Sequence, residues 1–426
     1  LNGALRLRIE GRAPLNGDYA PGGNPNAAIA LMVAALLSDG RVTLNNIPDT
    51  SATRTLAGII RDLGAPIDWT GSHIAIDAAP LARRTLLPDD TDRSTGALLL
   101  LAPLLVRRGH ARLEFDFPLN RIRTHLEALR DLGIDVVTGS GAVDLRAASW
   151  ETRDVLLSQA SVTATALVMM LAARLGRATT IRGAACEPHL QELAHLLIRM
   201  GAHVDGIGSN CLIVHGVQTL SDAEATIGAH YIEAASVAAM TAMCGGRVRL
   251  TGVRREEMRM IARVFGRFGV SLDLDDHTLY VPHHDGLTVS TRDEDVDGSV
   301  ETAPWPGFPS DLAAIATLLA TQAHGTTLIH EKMFANRLLF VDKLKAMGAQ
   351  IVLCDPHRAI VVGKSPLYGG YMDTPDIRAG LGMLGAALTA DGVSTIDNAR
   401  ILTDSFDGAI DKLRALGARI TIEGER

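Results

Sequence analysis

The turn Gly22-Gly23-Asn24 runs directly into "NAAIALMVAALL", Asn26 to Leu37, an apolar stretch that reads as a helix. A glycine loop opening a helix can turn several backbone N–H groups toward one anion, and the helix dipole adds to the attraction. Such a cradle usually recruits a lysine or arginine as well, yet residues 20 to 40 contain neither, and the first cation is Arg41. Ser161 and Thr163 head a second apolar run, and Ser310-Asp311 heads a third, "LAAIATLLA". A hydroxyl or carboxylate at such a position suits a helix cap. The clusters Cys186-Glu187-Pro188-His189 and His283-His284-Asp285 are too isolated for a metal site, and a surface loop accounts for the second. The four cysteines, Cys186, Cys211, Cys244 and Cys354, include no Cys-x-x-Cys pair, which fits reduced thiols in a cytoplasm. Neither a P-loop nor a Gly-x-Gly-x-x-Gly turn after a strand is present. No cofactor and no metal is therefore expected.

The elements that carry these residues repeat. Six glycines, Gly64, Gly133, Gly201, Gly269, Gly348 and Gly417, each follow an amphipathic run such as "THLEALRDLG" or "FVDKLKAMG" and precede a short alternating run such as "VSLDL" or "ARITI". Their spacings are 69, 68, 68, 79 and 69 residues, a period that marks duplicated structural units. Each unit has a second mark, an apolar run ending near a glycine and followed by a strand-like segment: "LLSDGRVTLNNI", "LVRRGHARLEF", "ARLGRATTIRG", "AMCGGRVRLTG", "TQAHGTTLIHE" and "LTADGVSTIDN". That glycine is expected to cap the helix in the left-handed region. Each unit thus reads helix–strand–helix–strand with further short strands. Six units predict two three-unit domains, 21–228 and 1–20 plus 229–426, with a double linker and an interdomain cleft. The N-terminal strand "LRLRIEG" is expected to pair with the second half.

At 426 residues the chain exceeds one ordinary core. Apolar residues make up 47% and aromatics only 4%, so the core must be built from Ala, Leu, Ile and Val. A net charge of -7 argues against a general nucleic-acid binder, and no run is long and apolar enough for a membrane span. Small-molecule partners remain; the oligomeric state stays open.

The motifs in order resemble the enolpyruvyl transferase family over nearly the whole chain. "NAAIALMVAALL", "VTLNNIPD", "ASVTAT", Glu187-Pro188, "TAPWPGFPSD", "MFANR", "DIRAG" and "IDKLRALGA" carry the likeness, and "TAPWPGFPSD" is the most specific. The resemblance implies an α/β chain in a two-domain inverted α/β barrel-like fold of six βαβαββ repeats. It implies transfer of a carboxyvinyl group from phosphoenolpyruvate to a substrate hydroxyl, with phosphate leaving after a tetrahedral intermediate. The branch acting on a sugar nucleotide is the nearer one, so a nucleotide or sugar nucleotide is the implied partner.

By the same resemblance Asp311 is the candidate base and Asn26 contacts the substrate or the reacting centre. Arg337 and Arg378 match phosphoenolpyruvate-binding arginines, and Arg93 and Arg121 match further cations. Ser161 and Thr163 would meet a substrate phosphate, and Glu187 and His230 would neighbour the substrate. Three departures bear on the donor. Pro25 stands where the family has a lysine, and proline neither donates nor carries charge. The catalytic loop is shortened to "EFDFPLN", Glu114 to Asn120, with no cysteine and only Asp116 as a stand-in. Asp404 replaces a cation near the C-terminus. These changes argue against phosphoenolpyruvate. They leave room for a repurposed, phosphoenolpyruvate-independent elimination or rearrangement, or for a non-catalytic ligand-binding chain.

Overall fold

The computed structural model describes residues 5–77, 81–83, 85–93, 95–290, 299–373 and 377–424. The chain divides into two compact units, Gly23–Gly228 and Leu1–Gly22 with Ala229–Arg426, so it passes between them twice. Each unit has its own apolar core.

Six small sheets share one design. In the first, strand Arg41–Asn45 lies parallel to Ala223–Thr226 and antiparallel to His73–Asp77, with Ile67–Thr70 beyond. The same order of one parallel edge and two antiparallel neighbours recurs in the other five. The fifth sheet uses two short parallel edge strands, Leu287–Thr288 and Ser299–Glu301, along Ala323–His330. The N-terminal strand Arg6–Glu10 completes the sixth sheet between Val393–Asp397 and Arg419–Glu423, in the second half as its sequence suggested. This is the α/β architecture of six βαβαββ repeats.

Two kinds of helix serve each repeat. One kind, such as Pro25–Ala35, Val162–Leu175, Tyr231–Cys244 and Ala313–Gln322, is buried almost all round, as a uniformly apolar helix must be. Their small side chains permit close approach: a methyl added at Gly382 would stand 2.8 Å from the Ala314 Cβ, and one at Gly385 would stand 2.8 Å from Leu318. Hence the alanine-rich, aromatic-poor composition. The other kind is amphipathic: Ser51–Asp62 buries Leu56, Ala57, Ile59 and Ile60 while Arg54 and Arg61 face water.

The six repeat-marking glycines all lie at positive φ, between 82° and 114°. Each follows an amphipathic helix and closes it with a paired bond. Gly64 N–H donates to the Arg61 carbonyl at 2.8 Å and Ala65 N–H to the Ile60 carbonyl at 3.2 Å. The pattern repeats at Gly133, Gly201, Gly269, Gly348 and Gly417. The residue after each glycine is buried, which completes the Schellman arrangement. A side chain at these φ values costs about 1–2 kcal/mol, which explains the regular spacing of glycine.

The second glycine set departs from expectation. Gly109 and Gly245 are left-handed caps, with φ of 67° and 75°. Gly176 is instead extended, at φ −97°. There a Cβ would meet the Trp150 Nε1 at 2.3 Å, so close approach rather than backbone handedness demands glycine.

Candidate active site

The loop Thr302–Pro309 is held by its own backbone: Ala303 N–H donates to the Phe308 carbonyl at 3.0 Å and Gly307 N–H to the Pro304 carbonyl at 2.8 Å. It delivers Ser310 and Asp311 on a short 3-10 turn, Ser310–Leu312, ahead of helix Ala313–Gln322. The N-cap positions of the turn and the helix are Pro309 and Leu312, and neither makes a side-chain cap bond. The Arg337 Nη1 donates to the Asp311 Oδ1 at 3.0 Å and to the Ser310 Oγ at 2.8 Å. Ser310 donates in turn to the Glu331 Oε2 at 2.6 Å. Arg337 arrives after Asn336, whose φ of 66° turns the chain, a conformation asparagine tolerates. Its guanidinium also lies 3.9 Å from the centre of the Phe334 ring, a cation–π contact. Glu331 is fully buried at the end of strand Ala323–His330. Its Oε1 accepts the N–H groups of Met333 and Phe334 at 2.8 and 3.1 Å. Asp311 is thus paired with Arg337, and the serine that shares the arginine is held by a buried acid.

His230 lies in the same unit, immediately before helix Tyr231–Cys244. Its ring stacks on Phe406, centroids 5.6 Å apart, and its Nδ1 is 3.7 Å from the Glu233 Oε2. The buried Glu233 accepts the Tyr19 hydroxyl at 2.7 Å and the Gly22 N–H at 3.4 Å. Burial first, and the Glu233 carboxylate second, push the Tyr19 phenol far above its ordinary range. Tyr19 is therefore a fixed donor to Glu233 rather than a proton-transfer group. Asp404 accepts from the Thr403 hydroxyl at 3.3 Å and is half-buried.

The remaining residues belong to the unit Gly23–Gly228. Asn24 caps helix Pro25–Ala35: its Oδ1 accepts the N–H of Asn26 at 2.9 Å and of Ala27 at 3.3 Å. Two donors that an anion would use are thus already satisfied. Gly23 has a packing reason, because a Cβ there would stand 2.0 Å from the Asn46 carbonyl oxygen. The opening glycine turn is explained by close backbone contact and an internal cap, and Pro25 supplies no charge. The Asn26 side chain is exposed just beyond.

Ser161 caps helix Val162–Leu175, accepting the Ala164 N–H at 3.3 Å, so the capping role holds for it. The Thr163 hydroxyl shares a 2.8 Å hydrogen bond with the Nε2 of buried His125. Burial lowers the His125 pKa to about 4, which keeps the imidazole neutral near pH 7. Arg121 is exposed, with its guanidinium 5.4 Å from the centre of the Phe117 ring in the shortened loop. Asp116 in that loop is exposed. Glu187 is half-buried before helix Pro188–Arg199, and its carbonyl accepts the N–H of Leu190 at 2.9 Å. The side chains of Arg93 and Arg378 lie outside the described residues.

Burial raises the pKa of the Cys186 thiol, helped by Glu187, and pushes Cys244 up to about 12. Neither suits a nucleophile. Among the described residues no group of three or more His, Cys, Asp or Glu is placed to hold a metal, and no helix is long and apolar enough to cross a membrane.

Asp311 and Arg337, separate candidates by resemblance, stand in contact, and sequence reasoning did not single out their neighbour Glu331 or the buried groups His125, Tyr19 and Glu233. The only sign of Glu331 was a lone acid closing the strand-like "TTLIHE". His125 carried none, because its partner lies 38 residues away.

Residues 9–413 match the model of the EPSP synthase family, described as 3-phosphoshikimate 1-carboxyvinyltransferase. The chain belongs to this family, and so to the transferases of the enolpyruvyl type. It is 40% identical over 430 residues to the UDP-N-acetylglucosamine 1-carboxyvinyltransferase of Bradyrhizobium diazoefficiens, covering 99% of each chain. It is 37% identical to the enzyme of the same name from Borreliella burgdorferi, covering 97% of each. Among solved structures, the enolpyruvyl transferase NikO from Streptomyces tendae superposes with a TM-score of 0.86 at 24% identity, covering 100% of both chains. An EPSP synthase from Acinetobacter baumannii gives 0.77 at 17% identity, covering 99% of this chain and 100% of its own. These two likenesses speak for the fold.

Proposed function

We propose that this chain transfers a carboxyvinyl group to a hydroxyl of a nucleotide or sugar nucleotide such as UDP-N-acetylglucosamine, with Asp311 as the base. The observation that carries the proposal is the Asp311–Arg337 pair. The carboxylate stands on the turn just ahead of helix Ala313–Gln322, with a guanidinium 3.0 Å away. As Asp311 takes the hydroxyl proton, the substrate oxygen bonds to C2 of phosphoenolpyruvate, the C2–C3 double bond opens and C3 takes a proton from solvent. Loss of phosphate from C2, with the C3 proton returning to solvent, then restores the double bond and leaves the carboxyvinyl ether. Arg337 lies beside the base, where a planar cation can meet a carboxylate or phosphate. The identity to two UDP-N-acetylglucosamine 1-carboxyvinyltransferases over nearly their full length supports the choice of acceptor.

Pro25 and Asp404 favour a second reading, a family member that has abandoned phosphoenolpyruvate for an elimination or rearrangement. A donor bearing up to three negative charges loses two cations and meets one carboxylate. Calorimetric titration with phosphoenolpyruvate, alone and with UDP-N-acetylglucosamine, separates the two. Binding that requires the sugar nucleotide, followed by phosphate release, supports transfer. No binding under either condition overturns it in favour of the second reading. Under the first reading Asp311→Asn lowers turnover at least a hundredfold, within the usual range for a lost general base on the order of 10²–10⁴, while leaving the fold intact. Unchanged turnover removes Asp311 as the base.

A further inference from the structure

We infer that Glu331 is a positioning residue for the reaction, acting on Asp311 through Ser310 and Arg337. The inference rests on Asp311 being the base in the proposed reaction. Its physical argument concerns the direction of each hydrogen bond. A serine hydroxyl has one hydrogen and can both donate and accept. If its hydrogen pointed toward Arg337 it would oppose an arginine N–H, because guanidinium only donates. The hydrogen is drawn away by the Glu331 Oε2, which lies 2.6 Å from the Ser310 Oγ. The oxygen lone pairs then face the Arg337 Nη1 at 2.8 Å, and the same nitrogen reaches the Asp311 Oδ1 at 3.0 Å.

The acceptor at the end of this relay must be unable to donate. A fully buried carboxylate meets that requirement, and its other oxygen is fixed by the N–H groups of Met333 and Phe334. Those two residues begin the turn that carries Arg337. Glu331 therefore sets both the path of the loop and the orientation of the hydroxyl that orients the arginine. Buried polar relays of this kind are stringent, because one reversed partner leaves another unsatisfied.

Glu331→Gln keeps the shape and reverses the polarity. With the amide oxygen still accepting from Met333 and Phe334, the amide nitrogen faces Ser310 and donates to it. The hydroxyl hydrogen must then seek another acceptor and competes with Arg337 for Asp311. Ser310→Ala removes the relay alone and leaves the loop bonds of Glu331 in place. Each variant is expected to lower kcat by about ten- to a hundredfold, since misplacement by about 1 Å can cost on the order of 10² in rate. The KM for the acceptor should change less than about twofold if only the base is mis-set. Because both act through one hydroxyl, the double variant should be no slower than the slower single variant. Ser310→Thr, which keeps the hydroxyl, should restore most of the rate lost in Ser310→Ala.

Crystal structures of the wild-type chain and both single variants read the arrangement without relying on turnover. The wild type should show the Arg337–Asp311 contact, and each variant should have lost it. A contact retained in both variants, wild-type kcat, or losses that multiply in the double variant would overturn the inference. Asp311→Asn distinguishes the two layers. If it abolishes turnover while Glu331→Gln and Ser310→Ala run at the wild-type rate, only the positioning role fails. If Asp311→Asn is active, the base assignment fails and the positioning role fails with it.

Discussion

Acid should weaken the unit Gly23–Gly228 through His125. This imidazole is buried and hydrogen-bonded to Thr163, and burial lowers its pKa from the ordinary 6.5 to about 4. Between those values the unfolded chain binds a proton that the folded unit refuses. The stabilisation is therefore fully present above pH 6.5 and is lost as pH falls toward about 4. Integrated over the whole window the loss is about 3 kcal/mol, and at about pH 4.5 it is roughly 2 kcal/mol. The assay uses the distribution of tryptophans. Trp69 and Trp150 lie in this unit and Trp305 in the other, so Trp305→Phe leaves fluorescence that reports Gly23–Gly228 alone. Urea unfolding is followed in that background at pH 7 and about pH 4.5, with His125 intact and with His125→Gln. Losing the Thr163 bond lowers the variant's stability by a similar amount at both pH values. Other groups titrate equally in both chains. The stability gap between the two chains should therefore close, or reverse, by roughly 2 kcal/mol on acidification. A gap that stays constant would refute a buried neutral imidazole at this position.

Two glycines of the same unit should respond in opposite directions. Gly58, inside helix Ser51–Asp62, has nothing within 4 Å of an added Cβ, so Gly58→Ala should stabilise by about 0.5–1 kcal/mol in urea unfolding. Gly23→Ala places a Cβ 2.0 Å from the Asn46 carbonyl oxygen, within the range of large destabilisations, and should cost at least about 2 kcal/mol. A neutral Gly23→Ala would mean that the opening turn packs less closely than described. Replacing a carboxylate by a cation with Asp404→Arg, in the unit that carries Asp311 and Arg337, should tighten phosphoenolpyruvate binding at least tenfold, about 1.4 kcal/mol, by titration calorimetry. Unchanged affinity would show that position 404 does not face the donor.

The repeat plan was legible because it is enforced locally. A helix that must end in a left-handed turn needs glycine wherever it occurs, so six glycines at near-constant spacing announce six units before any contact is known. The alternation of buried and amphipathic helices is equally local, since it follows from which faces of each helix are apolar. The family likeness implied separate roles for Asp311 and Arg337, and their contact came from the structure.

Other features could not be read from the chain. Ser161 and Ser310 look alike in sequence, each heading an apolar run, yet one caps its helix and the other relays a hydrogen bond to Glu331. The difference lies in which segment arrives beside each: a carboxylate and an arginine from the Glu331–Arg337 loop reach Ser310. Gly22-Gly23-Asn24 has the sequence of an anion cradle, but the Asn24 side chain satisfies the first donors and the Asn46 carbonyl explains Gly23. His125 is neutral because tertiary packing buries it, and its Thr163 partner comes from helix Val162–Leu175, 38 residues away. Sequence by itself determined what each backbone segment would do, because dihedral preference and amphipathic pattern act between near neighbours. Tertiary structure alone decided which polar side chains share a hydrogen, because that depends on partners distant in the chain.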